Sequence, residues 1–367
     1  MSMIRKIAKI TLIAVLSLVA LVVIIISRLF SVKIFDSIVQ TQHMKRLDEM
    51  YSDSLYVEIN DEQFVDFDLY DPNIKLNDIQ ILASHNSYKG MSTSLGRLFV
   101  GLGDSFDEAR ALKYSYQSIT DQLKLGIRSM EFDLRKRKDS FMLTHVPLVD
   151  NSSVAPNFAL ALEEIRLYSE HNPVHIPIII LMEVKTDWMI LDHALQNIET
   201  EELLQLDALI KEKLGDHLFQ PADLMVDDLT VQETITTLGW PSIEEMLGKV
   251  IIVLHPNNYN DRYLALDPTM ESQAMFIGSY ADDLNHDYTS FIVHNNVDVE
   301  SIASLIEQGY IVRTRIDDSL AFDQNRYMAA LASGAQILTS DFTSGRKDLN
   351  EADMIDLGGY MIIRFNP

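Results

Sequence analysis

The sequence has no cysteine, which excludes a disulfide framework, a thiolate metal site and a cysteine nucleophile. Basic residues are scarce, since 30 Lys and Arg stand against 54 Asp and Glu, giving a formal net charge of −24. This balance argues against a nucleic-acid partner and against unaided docking on anionic lipid. An anionic substrate would therefore need a cation in its site. Internal repeats and low-complexity linkers are also lacking, and 367 residues suit one large α/β barrel.

Only the N-terminus carries a long uncharged apolar run, residues 10–26, which follows Arg5, Lys6 and Lys9. With its flanks the run approaches the roughly 20 residues that cross a bilayer as a helix. A cleaved signal peptide is the alternative, but no small-x-small cleavage site follows the run. We therefore expect an uncleaved membrane anchor over residues 1–30, an acidic stalk or linker over 31–73, and a catalytic domain over 74–367. The cationic start favours a cytoplasmic N-terminus, with the catalytic body outside the cytoplasm.

Apolar runs alternate with helix-period stretches beyond residue 74, which predicts a parallel sheet covered by helices. Eight strands in this length predict an α/β fold, a single and possibly distorted TIM-type (β/α)8 barrel. An open, doubly wound sheet is the alternative. The predicted strands are 79–84, 127–134, 140–146, 176–184, 249–255, 290–295, 310–315 and 335–341.

Polar residues end four successive runs, at the edge where a barrel carries its functional residues. One amide and three carboxylates form an all-oxygen set, suited to Ca²⁺ or Mg²⁺ and not to zinc. Two histidines beside them suit a general base and a general acid. Inward charge in apolar strands costs several kcal/mol unless it is paired or metal-bound. These residues are His85, Asn86, Glu131, Asp133, His145 and Glu183.

Each of these residues also has a purely structural interpretation. A histidine after a strand is often a hydrogen-bonded structural residue, and Glu183 could simply pair with Lys185. Their occurrence together at four strand ends favours the functional interpretation.

The stretches that carry these residues resemble the X-region of the phosphoinositide-specific phospholipase C superfamily, in particular its calcium-dependent microbial branch. They read "SHNSY", "LGIRSMEFDLRKR", "LTHV" and "IPIIILMEVK", and the later "YIVRTRIDD" and "SGAQILTSDF" are similar to the last strands of that branch. The resemblance implies a TIM-type barrel that cleaves the phosphodiester of phosphatidylinositol lipids with Ca²⁺, Mg²⁺ being less favoured. It implies that His85 and His145 are catalytic. The calcium ligands that it implies are Asn86, Glu131, Asp133 and Glu183.

The implied reaction is attack of the inositol 2-hydroxyl on the neighbouring phosphate, an intramolecular step with preset geometry. The products would be diacylglycerol and a cyclic inositol phosphate, which water could then open. His145 would protonate the leaving glycerol oxygen, and His85 would contact the phosphorane. Basic residues at strand ends are candidates for binding the substrate, namely Lys185, Arg313 and Arg315. His255 and Asp341 also end strands and are candidates for lining the mouth.

Two other functions stay open at this point. A glycerophosphodiester phosphodiesterase would normally carry His-Arg-Gly after its first strand, where this chain has His-Asn-Ser. A non-catalytic, membrane-anchored binding protein would be expected to have lost a histidine or a ligand. The expected partners are a phospholipid or another phosphodiester and the membrane.

Overall fold

The computed structural model describes residues 3–359 and 361–366. Short runs of aliphatic and β-branched residues form its central strands. The strands are β1 Ile79–Ser84, β2 Ser129–Arg137, β3 Ser140–Leu143, β4 Ile178–Val184, β5 Leu195–Gln196, β6 Val250–Leu254, β7 Phe276–Tyr280, β8 Phe291–Val293, β9 Ile311–Arg315, β10 Ile337–Ser340 and β11 Ile363–Phe365. The α-helices are α1 Met3–Tyr51, α2 Ser94–Gly103, α3 Phe106–Ala111, α4 Ile119–Lys124, α5 Phe158–His171, α6 Thr200–Leu214, α7 Pro221–Leu224, α8 Val231–Thr237, α9 Asn260–Leu264, α10 Val299–Glu307 and α11 Gln324–Ala332.

Parallel pairing closes the sheet into a barrel. The strands follow the order β1, β10, β9, β8, β7, β6, β4 and β2, and β2 pairs again with β1. The closing seam is short, since β1 and β2 pair only through Ala83 with Ser129 and Ser84 with Met130. Antiparallel β11 pairs with the first half of β1. The predicted TIM-type barrel is therefore confirmed, in a distorted form, and the open doubly wound sheet is wrong.

One predicted strand lies outside the barrel, and one barrel strand was not predicted. Residues 140–143 form β3, which pairs antiparallel with β2 as a hairpin and extends the sheet beyond the barrel. The eighth strand of the barrel is instead β7, which was not predicted and lies between β6 and β8. Its five residues include Gly278 and Ser279, which weaken the strand pattern in the sequence. The apolar run 140–146 resembled a barrel strand because periodicity does not distinguish a hairpin arm from a core strand.

The N-terminal apolar run belongs to one long helix that continues onto the barrel. Among the described residues, α1 is the helix that is long and apolar enough to cross a membrane, and its apolar part is exposed. The later half of α1 packs on α5 through Met44, Leu47 and Tyr51. The Gln40 side chain exchanges two hydrogen bonds with the backbone of Asn157, at 2.8 and 3.0 Å. Part of the expected stalk is thus helix packed against the barrel, and the boundaries at residues 30 and 73 stay predictions.

A buried ion pair joins the segment after α1 to the bottom of the barrel. Asp61 accepts hydrogen bonds from the Arg128 guanidinium, at 2.7 Å from Nε, and from the backbone N–H of Ile176 at 2.9 Å. Arg128 also donates to the carbonyl oxygens of Leu123 and Ile127. Both side chains of the ion pair are fully buried. Loss of one partner would leave an unpaired charge in an apolar interior.

We therefore expect Asp61→Asn to lower the free energy of unfolding by about 3–5 kcal/mol, the usual cost of breaking a buried pair. The measurement is denaturant unfolding of the full chain in detergent. The matched control is Glu58→Gln, an exposed carboxylate on the same segment, which is expected to change stability by less than about 0.5 kcal/mol. Equal stability of the two variants would contradict this role for Asp61.

Candidate active site

All the predicted site residues line one cavity of about 380 Å³ at the carboxyl ends of the barrel strands. We call it the mouth cavity. Parallel strands end at the same edge, so residues far apart in sequence meet there. The predicted residues that it brings together are His85, Asn86, Glu131, Asp133, His145, Glu183, Lys185, Arg313 and Arg315. His255 and Asp341 line it as well.

Three carboxylates form an acidic cluster, defined here as Glu131, Asp133 and Glu183. One oxygen from each lies within 4.8 Å of the others. Strand register explains this, since Asp133 of β2 is the direct partner of Glu183 on β4. Glu131 is two residues before Asp133, so both side chains project from the same face of β2.

Asn86 presents its amide oxygen beside this cluster. Its Nδ2 donates to Tyr114 Oη at 3.1 Å, which fixes the direction of the amide group. Asn86 Oδ1 and Asp133 Oδ1 are buried and accept no hydrogen bond from the described residues, and the ammonium of Lys185 lies 3.9 Å from Asp133 Oδ1. Buried oxygens without donors are costly, and a hard cation satisfies them. The donor set therefore fits Ca²⁺ or Mg²⁺.

Basic side chains neutralise part of the cluster. Arg313 lies 2.6 Å from Glu131 Oε2, and Lys185 lies 2.8 Å from Glu183 Oε2. Burial alone would raise the pKa of Glu131, but the charges of Arg313 and His85 outweigh it and lower the pKa to about 2. Burial raises the pKa of Asp133, only partly opposed by the charge of Lys185. A cation bound beside Asp133 would offset this effect of burial and favour the ionised carboxylate.

His85 is held by a carboxylate behind it. Its Nδ1 lies 2.7 Å from Asp341 Oδ1, and its Nε2 lies 3.9 Å from Glu131 Oε1. Burial alone would lower the pKa of His85, but the charges of Asp341 and Glu131 raise it. Arg315 Nη2 lies 3.4 Å from the second oxygen of Asp341. Asp341 thus orients His85 and favours its protonated form.

His145 has a corresponding support that sequence reasoning missed. Its Nδ1 lies 3.0 Å from Asp150 Oδ2, and the other oxygen of Asp150 is paired with the buried ammonium of Lys89. Burial alone would raise the pKa of Asp150, but Lys89 lowers it. A tight loop with Leu148 at φ 67° returns Asp150 to His145. Only the short spacing of His145 and Asp150 hinted at the pair, because the loop conformation is not visible in the sequence.

Comparison with known proteins decides the family. The family model described as "Phosphoinositide phospholipase C, Ca2+-dependent" matches residues 74–140 and 135–367. The chain belongs to this family. No curated protein matches the sequence significantly.

Solved structures share the fold of this calcium-dependent phospholipase C family member. The phosphoinositol-specific enzyme of a Gram-negative Pseudomonas species aligns at 16% identity and TM-score 0.57, over 82% of this chain and 98% of that one. The phosphatidylinositol-specific enzyme of Streptomyces antibioticus aligns at 18% identity and TM-score 0.54, over 73% of this chain and 95% of that one. Calcium is the cofactor of the family, and the oxygen donors of the mouth cavity fit it.

We expect Asp133→Asn to weaken calcium binding about 10–100-fold, because one of three negative charges is lost while an amide oxygen remains. Isothermal titration of the full chain with Ca²⁺ measures this directly. Asp318→Asn is the matched control, since Asp318 lines the same cavity but lies outside the acidic cluster. Equal affinities in the two variants would show that the acidic cluster does not hold the ion.

Proposed function

We propose that this protein is a membrane-anchored, calcium-dependent phospholipase C that cleaves phosphatidylinositol-type lipids into diacylglycerol and a cyclic inositol phosphate. Membership of the family supports the reaction class. The observation that carries the proposal is the meeting of two carboxylate-supported histidines and an acidic cluster in one cavity. That set supplies a cation site, a proton donor and a charge-stabilising group for phosphodiester cleavage.

Four residues would hold the calcium ion, and they supply oxygen ligands of the kind that calcium prefers. Bound there, the ion supplies positive charge that attracts the phosphate and lowers the pKa of the inositol 2-hydroxyl. The four ligands are Asn86, Glu131, Asp133 and Glu183.

His145 acts as the general acid. Its Nδ1–H donates to Asp150, so Nε2 is the nitrogen that can carry a proton toward the substrate. The ion pair with Lys89 keeps Asp150 ionised and in place. When the 2-hydroxyl forms its bond to phosphorus and the glycerol–phosphorus bond breaks, Nε2–H protonates the glycerol oxygen. Such a proton transfer contributes roughly 10²–10⁴-fold to the rate.

His85 stabilises the charge that develops on the phosphoryl group. Asp341 holds Nδ1, so Nε2–H can donate to a phosphoryl oxygen. The raised pKa keeps this imidazole protonated at higher pH than a free histidine. The proton of the 2-hydroxyl passes to a carboxylate of the acidic cluster. Donors placed where negative charge develops are usually the largest single contribution to such catalysis.

The head group is an inositol phosphate without further ring phosphates. Additional phosphates would need cations that are not already neutralised. In the described mouth cavity, Arg313 is paired with Glu131, Lys185 with Glu183, and Arg315 with the Asp341 carboxylate. These pairs support plain phosphatidylinositol or a glycosyl-inositol lipid as the substrate.

The exposed apolar part of α1 supports membrane anchoring, with residues 10–26 in the bilayer. The basic residues before it support a cytoplasmic N-terminus and a barrel outside the cytoplasm.

The reaction is tested with the full-length protein in phosphatidylinositol vesicles, with calcium or with EGTA, and phosphorus NMR of the products. We expect a cyclic inositol phosphate only with calcium. His145→Ala is expected to lower its rate by roughly 10²–10⁴-fold, because the leaving oxygen loses its proton donor. The control is His286→Ala, which removes a partly exposed histidine paired with Asp283, outside the mouth cavity.

Two results would contradict this function. Turnover of glycerophosphodiesters without any cyclic product would indicate a glycerophosphodiester phosphodiesterase. Equal rates with calcium and with EGTA would show that the reaction does not need the cation.

A further inference from the structure

An apolar groove of about 610 Å³ lies beside the mouth cavity, between α1 and the rim of the barrel. Its volume is in the range of about 300–1,000 Å³ that is typical of ligand pockets. On the barrel side its apolar wall comes from α2, from the residue after α3, from the loop after His145 and from the loop after β4. The apolar residues on that side are Phe99, Val100, Leu112, Val146, Leu148, Val149, Trp188, Ile190 and Leu191.

The membrane helix forms the other wall. Val22, Ile25, Ile26 and Leu29 line the groove, and their spacing places them on one face of a helix. Leu29 is only 2% exposed, and its carbonyl oxygen accepts a hydrogen bond from Asn151 at 3.2 Å. The last turns of the apolar run are therefore fixed against the barrel rim.

Large apolar side chains are exposed on the same rim. Trp188 is 55% exposed and Ile190 is 78% exposed, although both line the groove. In α2 and α3, Leu102 and Phe106 are also exposed. An apolar surface of this kind, beside a helix that crosses a bilayer, is suited to contact with lipid, and tryptophan is enriched at membrane interfaces.

His145, Glu108 and Leu112 line both the groove and the mouth cavity. Polarity changes at this boundary, because the mouth cavity is lined mostly by ionised and polar side chains and the groove mostly by apolar ones. Asp104, Glu108 and Asp187 are the charged exceptions in the groove, and Asp187 is paired with Arg135. The bond cleaved in an inositol phospholipid has the same division, with a charged head group on one side and acylated glycerol on the other.

We propose that the apolar groove binds the glycerol and acyl chains of the lipid being cleaved, so that the membrane helix is one wall of the substrate site. This inference rests on the proposed function. The groove extends from the residue that protonates the glycerol oxygen to the face of α1 that lies at the end of its apolar run. The lipid then has to leave the membrane leaflet only partly to be cleaved, because its acyl chains stay against the helix that anchors the enzyme.

The test fills the groove from the helix side. Ile26→Trp adds a bulky side chain to the groove wall, whereas Ile24→Trp makes the same change about 200° around the helix, on a side chain that does not line the groove. Turnover is measured with full-length protein in vesicles, on long-chain phosphatidylinositol and on water-soluble dihexanoyl phosphatidylinositol. We expect Ile26→Trp to lower the long-chain to short-chain ratio of kcat/KM about tenfold. Ile24→Trp is expected to keep the ratio of the unmodified protein.

A second measurement reads binding without turnover. With calcium present, fluorescence of Trp188 is followed in vesicles that contain 2-O-methyl phosphatidylinositol with brominated chains, which lacks the attacking hydroxyl, or phosphatidylcholine with the same chains. Trp240, the other tryptophan, is 1% exposed and shielded in the core. We expect stronger quenching by the brominated phosphatidylinositol, and loss of that difference in Trp188→Phe.

An unchanged ratio in Ile26→Trp, or equal quenching by the two lipids, would overturn the groove as a substrate site while leaving the proposed function intact. Failure of the unmodified protein to cleave either inositol lipid would instead overturn the proposed function.

Discussion

Mutual repulsion among three carboxylates, two of them buried and one partly exposed, is the constraint on which the rest of the site depends. The pairing of Asp133 with Glu183 across β2 and β4, and the two-residue period along β2, force these groups within 4.8 Å of one another. Arg313 and Lys185 offset part of that charge. Two oxygens, on Asn86 and Asp133, still accept no hydrogen bond from the described residues, and a hard cation would satisfy them. An acidic protein can thereby bind an anionic phosphodiester.

The two histidines differ in their supports, and that difference suits different roles. His85 lies against Asp341 and faces Glu131, so negative charge on two sides raises its pKa. His145 lies against Asp150, whose charge is already offset by Lys89. A histidine between two carboxylates keeps its proton and can stabilise charge. His145 has its Nδ1 held by Asp150, which leaves Nε2 as the nitrogen for the proposed proton transfer.

Much of this site could be predicted from the sequence, because barrel strands end at a common edge and the period of two assigns side chains to a face. That is why His85, Glu131 and Glu183 were expected together, and the structure places them in one cavity. The support of His145 could not be predicted, since it depends on a loop whose Leu148 adopts a positive φ. The packing of α1 on the barrel could not be predicted from the sequence either. An apolar run predicts a membrane span, but not that the same helix continues to residue 51 and contacts α5.

An anomalous difference map of crystals grown with calcium tests the cation site most directly. We expect one peak in the mouth cavity, about 2.3–2.6 Å from oxygens of Asn86, Glu131, Asp133 and Glu183. Absence of a peak there, or a calcium ion bound only at another acidic surface, would contradict the claim that the acidic cluster is the cation site on which catalysis depends.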